Sequence, residues 1–126
     1  MECNNSFRNV IAWQKAHDFV LSVYRACASF PEYERRGLWS QFTRAAVSIA
    51  ANIAEGQKKI GKADKLRFMN ISQGSIEECR YYIILAQDLN YISEESANDL
   101  NYKLEGASWY LNAYINGISK NQGIKD

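Results

Sequence analysis

Apolar residues recur at alternating intervals of three and four along four separate stretches of this sequence, and this periodicity restricts the chain to one fold class. Such spacing places the residues of a stretch on one side of an α-helix. The four sets are Trp13, Ala16, Val20, Val23, Cys27 and Phe30; Leu38, Phe42, Ala45, Ile49 and Ile53; Phe68, Ile71, Ser75, Glu78, Tyr82, Leu85 and Leu89; and Ala97, Leu100, Leu104, Ala107, Leu111, Tyr114 and Ile118. The pattern predicts an all-α protein with four helices.

Residues between these stretches mark where the helices begin and end. Pro31 stops the first helix because proline cannot continue it. Gly56 can end or interrupt the second helix, and Asp64 is a suitable N-cap for the third. Asn90 suits a left-handed turn after the third helix. The fourth helix is expected to start at Ser93, followed by two glutamates that the helix dipole favours.

The short connectors between the helices set the topology. Connectors of about 4 to 8 residues favour antiparallel neighbours, so we expect an antiparallel up-down-up-down four-helix bundle. With 126 residues, the chain can bury a core as one domain. We assign residues 10–120 to the bundle, with a polar, aperiodic tail at 1–9 and a C-terminal tail at 121–126.

Composition argues against a secreted, membrane or metal-binding protein. The three cysteines, Cys3, Cys27 and Cys79, are odd in number and form no C-x-x-C pair, so they predict neither a disulfide framework nor a zinc site. No stretch reaches the 18 or more apolar residues of a membrane span. A protein of the reducing cytoplasm, without membrane contact, fits these features best.

Residues that could carry catalysis are scarce. His17 is the single histidine, which excludes the paired Glu-x-x-His motifs of di-iron bundles. The sequence lacks G-x-S-x-G and H-E-x-x-H, and Lys62 is followed by Ala63 where a phosphate-binding P-loop has serine or threonine. Cys79 has no activating neighbour and is expected to be an inert buried thiol. We expect no enzymatic activity, no metal site and no cofactor.

The second predicted helix has an unusually small and apolar outer sector. On a helical projection this sector holds Val47, Ala50, Ala51 and Ala54, together with Thr43. One interpretation is that another copy of the chain covers it, since such a face is rarely left in water. The alternative is that alanine serves only as a good helix former on an exposed surface.

A polar stripe lies beside that sector. It holds Gln41, Arg44, Ser48, Asn52 and Glu55. Glu78 interrupts the predicted core line of the third helix, and an unpaired buried carboxylate is costly, so we predict a structural Arg44–Glu78 pair within a polar network. A ligand-binding polar pocket is the alternative interpretation.

Basic residues cluster between the second and third helices. Lys58, Lys59, Lys62, Lys65 and Arg67 fall within ten residues, opposed there only by Asp64. In an up-down bundle, Arg35 and Arg36 would lie at the opposite end. The cluster is either a solvated loop or a site for nucleic-acid phosphates, and oligomerisation would multiply its charge.

Several short motifs resemble those of a known family. They are W-Q-K-A-H from Trp13, F-P from Phe30, R-A-A-V-S-I from Arg44, N-I-A-E-G from Asn52, R-F from Arg67 and G-S from Gly74. Together they resemble the bacterial four-helix-bundle proteins first associated with intervening sequences in 23S rRNA genes.

The resemblance implies a cytoplasmic protein, commonly a homopentamer, without known enzymatic activity. A relative of that family, the accessory variability determinant of diversity-generating retroelements, binds nucleic acid and a reverse transcriptase. The resemblance therefore implies RNA or DNA and a reverse transcriptase as candidate partners. Our leading hypothesis is an oligomer that binds nucleic-acid phosphates through the lysine-rich loop. The rival hypothesis is a protein-protein interaction scaffold.

Overall fold

The computed structural model describes residues 6–125, with side chains described for residues 6–120. All regular secondary structure in this range is helical, which confirms the all-α prediction. The four long helices are α1 (Ile11–Cys27), α2 (Leu38–Gln57), α3 (Lys62–Asp88) and α4 (Glu94–Lys125). Two single 3-10 turns, Phe7–Asn9 and Glu32–Glu34, precede α1 and α2.

Hydrogen bonds between α1 and α4 show that these helices run antiparallel. Lys103 Nζ donates to Ser22 Oγ at 2.8 Å. Seven residues later, just past the end of α1, Ser29 Oγ donates to the carbonyl oxygen of Tyr91 at 2.7 Å, just before α4 begins. The end of α1 therefore lies beside the start of α4.

The other helix pairs follow the same rule. Between α2 and α3, Gln41 meets Tyr82 near one end and Ile49 meets Ser72 further along. Between α3 and α4, Gln73 Nε2 donates to Asn112 Oδ1 at 2.9 Å, and Arg80, later in α3, donates to Ser108, earlier in α4, at 3.4 Å. Each helix packs on its neighbours in sequence, and α1 packs on α4 to close the bundle. These contacts are consistent with the predicted up-down-up-down arrangement.

The core lines predicted for three of the helices are correct. The predicted set in α2 is buried throughout, and those of α1 and α4 are buried or partly buried. The large side chains that are completely shielded include Phe19, Phe42, Ile49, Leu104 and Leu111.

The core line predicted for α3 is correct only in part. Of its members, Phe68 and Ser75 are buried and Tyr82 and Leu85 are partly buried, whereas Ile71, Glu78 and Leu89 are exposed. The other buried residues of α3 are Met69, Ser72, Ile76, Cys79, Ile83 and Ala86. The true line is rotated by about one residue around the helix. It was hidden because three of its members are a serine, a cysteine and an alanine, which carry little apolar bulk.

Helix boundaries confirm some predictions and correct others. Asn90 has a left-handed φ of 63°, and the Ser93 hydroxyl accepts a hydrogen bond from the Ser96 amide at 3.0 Å at the start of α4. The N-cap of α3 is Gly61, with Asp64 in the first turn instead. Helix α2 continues past Gly56 to Gln57.

The predicted tails are described only in part. Residues 1–5, including Cys3, lie outside the described residues. The ring of Phe7 meets that of Trp13 edge-on at 5.0 Å, so the segment before α1 packs on the bundle. The backbone of α4 remains helical to Lys125, within the segment predicted as a C-terminal tail, whose side chains lie outside the described residues.

Candidate functional site

The connector between α2 and α3 is a tight turn with basic side chains. The amide of Lys58 donates to the Glu55 carbonyl at 3.2 Å, and that of Lys59 donates to the Gly56 carbonyl at 3.1 Å. Residues 58–61 are therefore held close to the end of α2. We call residues 58–61 the basic turn.

Lys65 fastens the basic turn from the side of α3. Its Nζ donates to the backbone carbonyl of Gln57 at 2.7 Å, which satisfies one of the last carbonyls of α2. Partial burial lowers the pKa of this amine below its usual value. Lys65, one of the predicted phosphate contacts, is therefore already hydrogen-bonded within the protein.

Two more of the predicted residues cover an aromatic ring. The Lys59 amine lies 4.9 Å and the Arg67 guanidinium 4.7 Å from the centre of the Phe68 ring. Arg67 also contacts Asp64 Oδ1 at 3.4 Å. By contrast, Lys58 and Lys62 form no ion pair among the described residues.

The bundle topology adds two cations that the sequence pattern missed. The start of α1 and the end of α4 lie at the same end of the bundle as the basic turn, which places Arg8 and Lys120 there. We call this end the basic pole, with members Arg8, Lys58, Lys59, Lys62, Lys65, Arg67 and Lys120. Only Glu55 and Asp64 oppose them among the described residues.

The opposite end of the bundle is acidic and internally paired. Arg35 Nε donates to Glu32 Oε2 at 3.0 Å, so its charge is partly compensated. Glu34 accepts hydrogen bonds from the Leu38 amide at 2.9 Å and the Tyr91 hydroxyl at 2.7 Å. Both hydrogen bonds lower the pKa of the Glu34 carboxyl, and the bond from the Leu38 amide has the larger effect. The bundle is therefore electrostatically polar along its axis.

The predicted polar network forms only in part. Asn52 Nδ2 donates to the Ser48 carbonyl at 2.8 Å and to Ser48 Oγ at 3.0 Å. Ser75 Oγ donates to Ser48 Oγ at 2.8 Å. A second serine of α3, Ser72, donates its hydroxyl to the Ile49 carbonyl of α2 at 2.8 Å. Neither Ser72 nor Ser75 belongs to the predicted network.

The predicted buried Arg44–Glu78 pair is wrong. Both residues are exposed, and among the described residues they form no ion pair with each other. Instead, the Tyr82 hydroxyl lies 3.1 Å from Gln41 Oε1 and 3.5 Å from Glu78 Oε2. The rotated register of α3 turns Glu78 outward, so its charge stays hydrated.

A shallow cleft of about 350 Å³ lies between α2 and α3 at this place. It is lined by Gln41, Arg44, Ala45, Ser48, Glu78 and Tyr82. Glu55 is exposed one helical turn beyond Asn52 and Ala51 and does not line the cleft.

The small-residue face of α2 divides between core and surface. Val47 is 40% exposed, Ala51 is exposed and Ala54 is half-buried. Ala50 is 8% exposed and belongs to the core of its own chain, so its assignment to a subunit contact is wrong.

The described cysteines and the histidine are packed against other residues of the bundle. Burial raises the pKa of the Cys27 thiol to about 12 and also raises that of Cys79. The His17 ring stacks on Trp13 at 5.0 Å. Within residues 6–125 no cluster of metal-ligating side chains occurs, and no helix combines the length and hydropathy needed to cross a bilayer.

Comparison with known proteins assigns the chain to a family. The sequence profile described as 23S rRNA-intervening sequence protein matches residues 8–113. The chain belongs to this family. The matched segment includes the basic turn and all of α2, whereas Lys120 lies beyond it. No curated protein matches the chain.

A solved structure supports the fold assigned to this 23S rRNA-intervening sequence family protein. It is a protein of unknown function from the S23 ribosomal protein family of Bacteroides thetaiotaomicron VPI-5482. The two share 23% sequence identity with a TM-score of 0.74, over 82% of this chain and 97% of the other. The likeness shows that the two proteins share a fold.

Proposed function

We propose that this chain is a non-enzymatic, cytoplasmic homo-oligomer that binds the phosphates of RNA or DNA through its basic pole. The observation that carries the proposal is the gathering of seven cationic side chains, from three separate parts of the sequence, at one end of the bundle. The free, buried thiols of Cys27 and Cys79 fit a reducing compartment.

Electrostatics favours phosphate as the ligand of the basic pole. A nucleic-acid duplex carries about one negative charge per 1.7 Å of its axis, so a surface with many cations gains affinity by releasing counterions. The N-terminus of α3 points its dipole toward the same turn, and no side chain caps it at Gly61. Asp64 offsets part of this field from the first turn.

The contacts divide the basic residues into two groups. Lys65 supports the turn, and Lys59 and Arg67 lie over Phe68. Lys58 and Lys62 have no ion-pair partner among the described residues, so their charges are available to an external phosphate. We assign Lys58 and Lys62 as the principal phosphate contacts.

Replacing Lys58 and Lys62 by glutamine should weaken binding and its dependence on salt. Each lost contact to a duplex lowers the slope of log K against log salt by about 0.9, so the double variant should lose about 2 units of slope for each chain engaged. Mobility-shift titrations between about 50 and 200 mM salt measure this change. The matched control replaces Arg35 and Arg36 by glutamine, which removes the same charge from the opposite end.

Equal losses in the control and in the basic-pole variant would show that only net charge matters. Absence of salt-dependent binding by the unmodified protein would favour the alternative, a protein-protein interaction scaffold. In that case the basic pole serves solubility and orientation.

Self-association is proposed through the outer face of α2. Val47 and Ala51 are small enough to let another helix approach closely, and they are exposed in the single chain. The diagonally opposite helix, α4, exposes Trp109 and Tyr102. A closed ring such as a pentamer needs two different complementary patches on each subunit, and these two surfaces supply a small-residue face and an aromatic face.

Introducing a charge at Ala51 should break the assembly into monomers. In Ala51→Glu, a carboxylate would be buried without a partner, which costs several kcal/mol at an interface. Size-exclusion chromatography with light scattering should give a multiple of the chain mass for the unmodified protein and a single chain mass for the variant. Ala63→Glu adds the same charge to an exposed alanine of α3 and should leave the mass unchanged.

A further inference from the structure

Ile60 is the most exposed large apolar residue that the structure describes. Its side chain is 99% exposed, at the tip of the basic turn. A single exposed isoleucine is ordinary on a protein surface. This one differs in its surroundings, because Lys58, Lys59 and Lys62 are all within two residues of it.

The turn that carries Ile60 is fixed on both sides. On the side of α2, two backbone hydrogen bonds hold Lys58 and Lys59 against the end of the helix. On the side of α3, Lys65 donates to the Gln57 carbonyl, and the Lys65 amide donates to the Gly61 carbonyl. The isoleucine is therefore presented outward by a preorganised support, so little entropy is lost when a ligand encloses it.

The basic turn itself is cationic and contains no aromatic residue. Phe68 is the aromatic residue nearest in sequence, and it is buried beneath Lys59 and Arg67. Proteins that hold single strands stack the bases on exposed aromatic rings. The basic turn has an aliphatic tip between cations instead.

We propose that Ile60 inserts as an apolar wedge between stacked base pairs of a double-stranded nucleic acid, while Lys58 and Lys62 hold phosphates on either side. This inference rests on the proposed function. Aliphatic side chains that enter a base step from the minor groove unstack it in part and bend the duplex, and flanking cations offset that cost. The ligand class is thus a double helix with a deformable step.

An anionic lipid surface fits these observations less well. Peripheral membrane binding scales with the apolar area inserted and relies on a whole helix face or a lipid chain. The basic turn offers one aliphatic side chain, and the rest of its surface is charged. A base step, by contrast, accommodates a single side chain.

The test uses DNA and RNA duplexes that carry 2-aminopurine at a central pyrimidine-purine step. The unmodified protein should increase the fluorescence on binding, because unstacking relieves quenching. Ile60→Ala should abolish the increase and weaken binding roughly tenfold, a loss of the size expected for an isoleucine side chain removed from contact. The salt slope should remain unchanged because no charge is removed. Ile84→Ala, at an exposed position of α3 far from the pole, is the matched control.

The outcomes separate the wedge from the proposed function. Salt-dependent duplex binding that Ile60→Ala leaves intact, without a fluorescence change, overturns the wedge and leaves phosphate binding standing. Equal, Ile60-dependent binding of the single strands overturns the assignment to a double helix. Binding to vesicles containing phosphatidylserine, but to neither duplex, overturns both. Loss of fluorescence and affinity in Ile60→Ala alone supports the wedge.

Discussion

Replacing Phe42 by alanine is expected to destabilise the bundle by about 3 to 5 kcal/mol. The Phe42 side chain is 0% exposed. Its ring lies 6.4 Å from that of Phe19 on α1 and 5.8 Å from that of Tyr82 on α3. Truncation removes these contacts and leaves a cavity where three helices meet, and the surrounding helices can collapse into it only in part. Urea unfolding followed by circular dichroism measures the loss.

The control for Phe42 removes an exposed side chain from the same fold. Ile84→Ala should change the free energy of unfolding by less than about 0.5 kcal/mol, because the residue is exposed. Both variants must be compared at one protein concentration, since self-association would add to apparent stability. A cost below about 1 kcal/mol for Phe42→Ala would contradict its place in the core.

The burial of Phe42 could be predicted because the apolar residues of α2 are large and regularly spaced. Leu38, Phe42, Ile49 and Ile53 recur at helical spacing among mostly small or polar residues, so the periodicity has one interpretation. The same holds for α1 and α4. Helix count, order and antiparallel topology follow from this pattern and from short connectors.

The orientation of α3 could not be predicted in the same way. Its buried face uses Ser72, Cys79 and Ala86, and its outer face carries Ile71 and Leu89. Hydrophobicity alone therefore favours a line that is only partly buried. The buried serines are compatible with the core because their hydroxyls bond to α2, as Ser72 Oγ does to the Ile49 carbonyl at 2.8 Å. That compensation depends on two helices and is invisible in one.

The sequence predicts the part of the candidate site whose residues are adjacent in the chain. It does not predict the part that folding brings together from distant positions. The lysines of the basic turn are adjacent in sequence, so their cluster is evident. Arg8 and Lys120 join them only because four antiparallel helices bring the start of α1 and the end of α4 to the same pole. The separate role of Lys65 was also hidden, since it depends on a hydrogen bond to the Gln57 carbonyl.

Gly56 shows how a local rule can identify the right residue for the wrong reason. Glycine near the end of an apolar stretch suggests a helix stop. In the structure Gly56 is helical and buried, and α2 lies close to Phe68 and Met69 of α3 at this residue. Its missing side chain lets the two helices approach just before the basic turn, so the position of the turn depends on it.

Gly56→Ala should therefore destabilise the protein by about 1 to 3 kcal/mol, despite the better helix propensity of alanine. An added Cβ would lie 2.6 Å from Phe68 Cβ and 2.8 Å from Met69 Cε. Met69 can move its terminal methyl, but Phe68 Cβ is fixed to the backbone, so α2 and α3 must separate. Gly74→Ala is the matched control: nothing lies within 4 Å of its Cβ position, and it should stabilise by about 0.5 to 1 kcal/mol. In urea unfolding, the free energy of unfolding should fall for Gly56→Ala and rise for Gly74→Ala. A change of the same sign in both variants would contradict close helix contact at Gly56.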